Sequence, residues 1–309
     1  MIGFIGSIVF YNAFLPEITT EDKFDEMSAR GYSMGYIGSV VLLIINVIMI
    51  NKPTFFGLPD ASMAVRVSFF MVGLWWLAFS FIPLVILPGN MRISITKKHF
   101  TNGIHILQDV WNKLKHLPNV RRFLWAFFAF NAGVQTIMLL AAAFAEKQIH
   151  FSTVELIILI LMIQLVAIIG AFSFSWLSNQ RGNKYALMVM LIIWVLICII
   201  GYVVRSKTQF YMLAVVVGIV MGGIQSLSRS TYSKLIYKYE GEHTSFFSFY
   251  DVVEKLSVLI GTFSFGFIEQ ITGGMRNSIF ALVVFFVLGL ILLSRADLRT
   301  TQQLTTQNE

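Results

Sequence analysis

Charge is what this sequence has least of. Only 13% of its 309 residues are Asp, Glu, Lys or Arg, against about 25% in a soluble domain. That scarcity excludes an ordinary solvated surface. Cysteine is nearly absent. Cys198 is the single one, inside an apolar run, so no intrachain disulfide can form and a buried small side chain is its expected role. The five histidines, His99, His105, His116, His150 and His243, lie in or beside loops and show no metal-ligand spacing. There is no phosphate-binding glycine loop, no G-x-S-x-G and no dinucleotide fingerprint. No enzyme, metal or cofactor is therefore expected, and no ATPase within this chain. The opening stretch also lacks the basic segment and small-residue cleavage site of a signal peptide.

Apolar sequence is abundant. The chain is 57% hydrophobic with a mean hydropathy of +0.75, and long apolar runs recur along its whole length. Nine spans are expected, at about 2–18, 34–50, 67–87, 122–145, 153–177, 185–204, 208–227, 245–268 and 276–294. The later ones have the ~17–25 residues needed to cross ~30 Å of hydrocarbon. The fold class read from this is all-α, a polytopic helical membrane protein with the lipid bilayer as its solvent. Four regions follow: a three-helix bundle at 1–87, a linker at 88–121, a six-helix bundle at 122–294 and a polar tail at 295–309.

A net charge of +7 would suggest nucleic acid in a soluble protein. Here it reflects loops of biased charge, and no nucleic acid is expected as a partner. With the C-terminus placed inside, sixteen Lys and Arg fall in inside loops and six in outside loops. The bias puts the C-terminus in the cytoplasm and, with nine spans, Met1 outside. The linker carries Phe100, Ile104, Leu107, Trp111 and Leu114 on one helical face, with Lys113 and Lys115 off it. It reads as an amphipathic helix on the inner membrane surface.

Polar residues inside spans are the site candidates, since each must find a partner or a cavity in hydrocarbon. Tyr11 and Asn12 are in the first span, Asn131 and Gln135 are four apart in the fourth, and Gln164 is in the middle of the fifth. Gln225 and Arg229 are four apart near the end of the seventh. The eighth carries Asp251, Glu254 and Lys255. Charge at membrane depth costs roughly 2.5–3.5 kcal/mol per residue on insertion scales. Asp251 and Lys255 can pair along their own helix. Glu254 is left as the carboxyl whose change of charge would suit proton coupling, with a static network joining helices as the alternative. Interhelical hydrogen bonding is likewise an alternative to cavity lining for each amide. Two series of small residues, Gly31, Gly35, Ser39 and Gly218, Gly222, Ser226, Ser230, recur every fourth position and read as close helix contacts.

Four stretches carry a resemblance. F-Y-N-A-F-L-P-E-I and S-A-R-G-Y-S-M-G-Y-I-G-S open the chain, and G-G-I-Q-S-L-S-R-S and F-F-S-F-Y-D-V-V-E-K-L-S come late in it. Together they resemble the vacuole-effluxer-like family of the major facilitator superfamily, closer to its bacterial members than to its fungal ones. The layout of three spans, a long basic linker and six spans is similar to that superfamily's plan without its first three helices. The resemblance implies a secondary active transporter that moves a small organic solute by alternating access. Amino acids are among the candidate solutes, protons are a candidate coupling ion, and a bacterial plasma membrane is the implied location. It also implies that spans 2–18, 122–145 and 208–227 line a central cavity. A loop signature of the superfamily is eroded here to S-W-L-S-N-Q-R-G-N-K, where Gly182 and Lys184 match but Asn179 stands at the acidic position. That loop helps lock one state through charge pairing, and Asn179 cannot form the ion pair. Other readings stay open: a truncated or non-transporting membrane scaffold, and an intramembrane enzyme, for which Ser228 or Ser230 beside Arg229 is a thin basis.

Overall fold

The computed structural model describes residues 2–86 and 97–298, and every regular element among them is helical. The helices are α1 (Ile2–Ala13), α2 (Leu15–Ile18), α3 (Phe24–Asn51), α4 (Ala61–Ile86), α5 (Lys97–Lys115), α6 (Pro118–Ile149), α7 (Thr153–Arg181), α8 (Asn183–Val203), α9 (Lys207–Ile236), α10 (His243–Thr272) and α11 (Ile279–Ser294). Residue 87, residues 88–96 of the expected linker and the tail beyond 298 lie outside the described residues, as do the side chains of Phe100 and Ile104.

Local chemistry sets the ends. Pro118 opens α6, where its missing N–H costs nothing. Ser152 and Glu155 form a capping box at the start of α7, and Ser206 and Gln209 form another at the start of α9. Gly182, at φ +83°, turns the chain from α7 directly into α8, a conformation that disfavours any side chain.

Six helices, α3, α4 and α6 to α9, are long and apolar enough to cross a membrane by length and composition. That criterion does not reach the nine expected spans. α1 has 12 residues and breaks at Phe14 before α2, and α11 has 16. α10 has 30, but carries Asp251, Glu254 and Lys255 in its middle. α3 is longer than expected. It starts at Phe24, not near residue 34, because its first ten residues are polar yet packed against other helices: Asp25, Ser28 and Ser33 are buried. α5 packs on α6 and α10. Val110 and Leu114 are buried, Trp111 stacks on Phe249 at 6.0 Å, and Lys113 pairs with Glu242 at 2.5 Å.

The tightest packing is the crossing of α7 and α9, where three glycines remove the side chains that would hold the backbones apart. A Cβ at Gly170 would fall on the carbonyl of Ile219, and one at Gly222 on the carbonyl of Ala167. One at Gly218 would approach the carbonyl of Ile163 at 2.8 Å. In lipid there is little hydrophobic drive between helices, so such close contact carries the association. Of the two small-residue series, the α9 one is packed throughout, with Ser226 and Ser230 fully buried. The α3 series is divided. Gly31 is covered, whereas a Cβ at Gly35 would meet nothing within 4 Å.

This contrast yields a paired test. Alanine favours a helix over glycine by ~1 kcal/mol, so Gly35→Ala should leave stability unchanged or raised. Gly222→Ala should lower it, because a backbone carbonyl cannot move aside and overpacking costs about 1–3 kcal/mol. Thermal unfolding in detergent measures both, and equal melting temperatures would contradict the packing account.

Candidate functional site

α3 and α9 run antiparallel and are joined by three tiers of polar contacts. At one end Tyr36 donates to the Gln225 side-chain oxygen at 2.6 Å. In the middle Ser28 donates to the carbonyl of Ser226 at 2.7 Å and accepts from Nε of Arg229 at 2.9 Å. At the other end Asp25, fully buried, pairs with Lys234 at 2.7 Å.

Arg229 is held from three sides. Nη2 donates to the carbonyl of Ser28 at 3.0 Å and Nη1 to Asn12 Oδ1 at 3.3 Å. The guanidinium carbon lies 4.7 Å from the ring centre of Tyr32 and 5.2 Å from that of Tyr11, in cation–π contact. Gly31 makes room for this, since a Cβ there would stand 2.5 Å from the Tyr11 hydroxyl and 3.0 Å from Nη2. Arg229 is 4% exposed, and among the described residues no carboxylate comes within ion-pair distance of it. Among the described residues this buried cation is thus satisfied by neutral acceptors and rings.

The Asp25 tier draws in the eroded loop signature. Ser178 donates to Asp25 Oδ2 and Asn183 to Oδ1, both at 2.8 Å. Lys234 also donates to Asn183 Oδ1 at 2.8 Å, and Asn183 donates to Thr231 at 3.0 Å. Asn179 is exposed and takes no part. The acid that the signature lacks at Asn179 is present from another helix, as Asp25 of α3. We call this end of the bundle its basic face, since the Lys and Arg surplus of the loops lies there.

Above the Arg229 tier is a cavity of about 640 Å³. It is lined from α1, α3, α6, α9 and α10. Tyr11, Asn12, Asn131, Gln135, Gln225, Arg229 and Glu254 all face it. Among its lining residues Arg229 is the one cation and Glu254 the one carboxylate. Asn131 donates to Ser257 of α10 at 2.7 Å, and Gln135 donates to Asn131 at 3.5 Å. Gln225 also donates to the Met138 sulfur at 3.1 Å.

Three of the expected site residues are elsewhere. Gln164 is half-buried on α7 and does not line the cavity. Asp251 and Lys255 do not line it either. Lys255 stands 3.0 Å from Glu254 and 3.5 Å from Asp251, and among the described residues these ion pairs lie within α10. Conversely, Tyr32, Tyr36, Asp25 and Lys234 were not singled out from the sequence as site residues, and Ser228 was named only as a thin basis for an enzyme. Ser228 lines the cavity with a buried hydroxyl that has no partner among the described residues. The available signal was spacing: Asp25, Ser28 and Tyr32 fall on one helical face, beside the Gly31–Gly35 series.

The fold and its central cavity define a class, the polytopic helical bundle of the major facilitator superfamily. A major facilitator superfamily transporter, FucP, in the outward conformation matches 94% of this chain and 72% of its own, at a TM-score of 0.67 and 13% identity. A bacterial homologue of the iron transporter ferroportin, in an outward-facing state, matches 92% and 66% at a TM-score of 0.56 and 13% identity. At such identities the likeness speaks for the fold. The family is given by sequence. The profile described as "Vacuole effluxer Atg22 like" matches residues 19–304, and the chain belongs to that family. An uncharacterized MFS-type transporter, YxiO, of Bacillus subtilis is 30% identical over 309 residues, covering 99% of this chain and 71% of the relative. Autophagy-related protein 22 of Eremothecium gossypii is 28% identical over 281 residues, covering 84% of this chain and 54% of the relative. The chain therefore spans about half to three quarters of the length of these relatives.

The Asp25–Lys234 pair should keep the cavity closed from the basic face. Breaking a buried pair by removing one partner costs about 3–5 kcal/mol, while removing both leaves no charge unpaired. A cysteine placed at Ser228 reports this through labelling by an impermeant maleimide in sealed vesicles of either orientation. Asp25→Asn and Lys234→Gln should each raise labelling from the basic face roughly a hundredfold, and the double variant should return toward the parent. Unchanged labelling in both single variants would show that the pair does not hold the seal.

Proposed function

We propose that this protein is a secondary active transporter that moves a small organic solute by alternating access, with a carboxylate on the solute meeting Arg229. The observation that carries the reading is the buried guanidinium, without a carboxylate partner among the described residues, facing a cavity of about 640 Å³. A charged hydrogen bond contributes more than a neutral one, about 1.5–3 kcal/mol, so an anionic group is the partner this cation favours. Glu254 faces the same cavity. One cation and one anion on a shared wall suit a zwitterion, and amino acids are the solute class we favour. Asn131, Gln135, Gln225, Tyr11 and Asn12 would supply the neutral contacts of the site.

Glu254 has a second role in this reading, as carrier of a coupling proton. It is held by Lys255, which can release it or retain it as the solute comes and goes. The polar tiers between α3 and α9 would form the closed gate of one state, with the cavity open away from the basic face. The excess of positive loops supports a cytoplasmic C-terminus. The bacterial relative supports residence in a bacterial plasma membrane. On this reading 1–87 and 122–294 are the two moving bundles, and 88–121 couples them.

Uptake of labelled amino acids into proteoliposomes, with and without an imposed pH gradient, tests the proposal. Glu254→Gln preserves the size and hydrogen bonding of the neutral acid. It should retain solute exchange and lose accumulation against the gradient. Arg229→Lys keeps the charge but loses the planar fork, and the half-saturating concentration should rise roughly 10- to 100-fold. If Glu254→Gln accumulates solute as well as the parent, Glu254 is structural. If Arg229→Lys leaves half-saturation unchanged, the carboxylate reading fails.

A further inference from the structure

A second concave site lies on the basic face, away from the central cavity, where α6 enters the bundle and α11 leaves it. It has a volume of about 510 Å³ and is lined by Arg122, Trp125, Leu292 and Arg295. We propose that it holds the phosphate of an anionic phospholipid, with the two guanidinium groups on the phosphate oxygens and an acyl chain along Trp125 and Leu292.

The sequence fixes the depth of the site. After Arg122, α6 reads F-L-W-A-F-F-A-F, and before Arg295, α11 reads V-L-G-L-I-L-L-S. Each arginine is thus the charge that borders an apolar run, which is the headgroup level of a bilayer. Both side chains are exposed. Two guanidinium groups on one concave wall suit an anion placed between them.

The site is also held in shape. Arg122 donates to the backbone oxygen of Arg295 at 3.5 Å, tying the two helix ends together. Lys184 donates to the carbonyls of Ser294 and Ala296, at 2.6 Å and 2.8 Å, on either side of Arg295. Those bonds fix the backbone that carries Arg295 and occupy Lys184. Guanidinium groups match phosphate oxygens in pairs, and basic pockets between membrane helices on such a face suit anionic head groups.

A free phosphate and a phospholipid share that chemistry, but the walls favour the lipid. Trp125 is 51% exposed and lies about one helical turn deeper than Arg122, toward the hydrocarbon. An aromatic ring at that depth is an interfacial anchor and gives a soluble anion nothing. With the acyl chain against Trp125 and Leu292, the head group would be held at the arginines and the glycerol between them.

Native mass spectrometry of the chain released from detergent tests this with three probes: phosphatidylglycerol, phosphatidylcholine and inorganic phosphate. Juxtamembrane Lys or Arg contributes about 1 kcal/mol each toward anionic lipid, so two predict a preference for phosphatidylglycerol over phosphatidylcholine of roughly 30-fold. Arg122→Gln with Arg295→Gln should abolish that preference, while Arg181→Gln with Lys238→Gln, on the same face, should keep most of it. If the first pair does not fold, Arg295→Gln alone should reduce the preference about fivefold. Retention of the full preference in the arginine variants overturns the site. Displacement of phosphatidylglycerol by an equal concentration of inorganic phosphate overturns the lipid and leaves a free-anion site.

Discussion

A guanidinium buried between helices, with no carboxylate pairing it among the described residues, is the constraint around which this bundle is arranged. The effective cost of taking one charge out of water is several kcal/mol even after relaxation. Arg229 meets that cost with contacts from outside its own helix: Ser28 and Tyr32 on α3, and Asn12 and Tyr11 on α1. The first helices are therefore bound to the later ones through the solvation of one cation. Other features serve the same contact. Gly31 leaves the space that Tyr11 and Arg229 occupy, and the glycines at the α7–α9 crossing let α9 lie against α7. Asp25 is held by Lys234, Ser178 and Asn183 about one turn further toward the basic face. Loss of α3 from its place would expose Arg229 and Asp25 together.

That coupling gives the proposed site a mechanism. A ligand shifts a conformational equilibrium only by its difference in affinity between the states. A carboxylate that reached Arg229 would compete with Asn12 and Ser28, the groups that hold the two bundles together. Part of the binding energy would be spent at the seal and not in the cavity alone. Moving an equilibrium from 1:99 to 99:1 needs about 5.5 kcal/mol. A charged contact of about 1.5–3 kcal/mol supplies a share of that, and the release of Asp25 from Lys234 would have to accompany it.

Much of the scaffold was legible in the sequence, because apolar runs of membrane length have few other uses. The start of α3 was not. Residues 24–33 are polar, which reads as a loop, yet they are helical, and Asp25, Ser28 and Ser33 among them are buried where α3 packs on α7 and α9. The same misreading hid half of the seal. Asp25 and Lys234 are 209 residues apart, and each alone resembles an interfacial charge of the kind that membrane ends carry. Gln225 and Arg229 were found because their spacing places them on one face of one helix, a local property. The charged triplet of α10 shows the limit of that approach. Spacing identified the Asp251–Lys255 pair, but it could not tell that only Glu254 of the three would face the cavity.

The central claim is that the α3–α9 contact is a gate that opens, not a permanent bond. Spin labels at Lys23→Cys and Arg181→Cys, both exposed on the basic face on opposite sides of the seal, measure it directly by dipolar spectroscopy in lipid. Cys198 is 3% exposed, so labelling is confined to the introduced sites. The account predicts two distances whose populations shift when a transported amino acid is added, with the longer one gaining when Asp25 is replaced by Asn. A single distance, unchanged by solute and by Asp25→Asn, would contradict it and make the contact a fixed part of the fold.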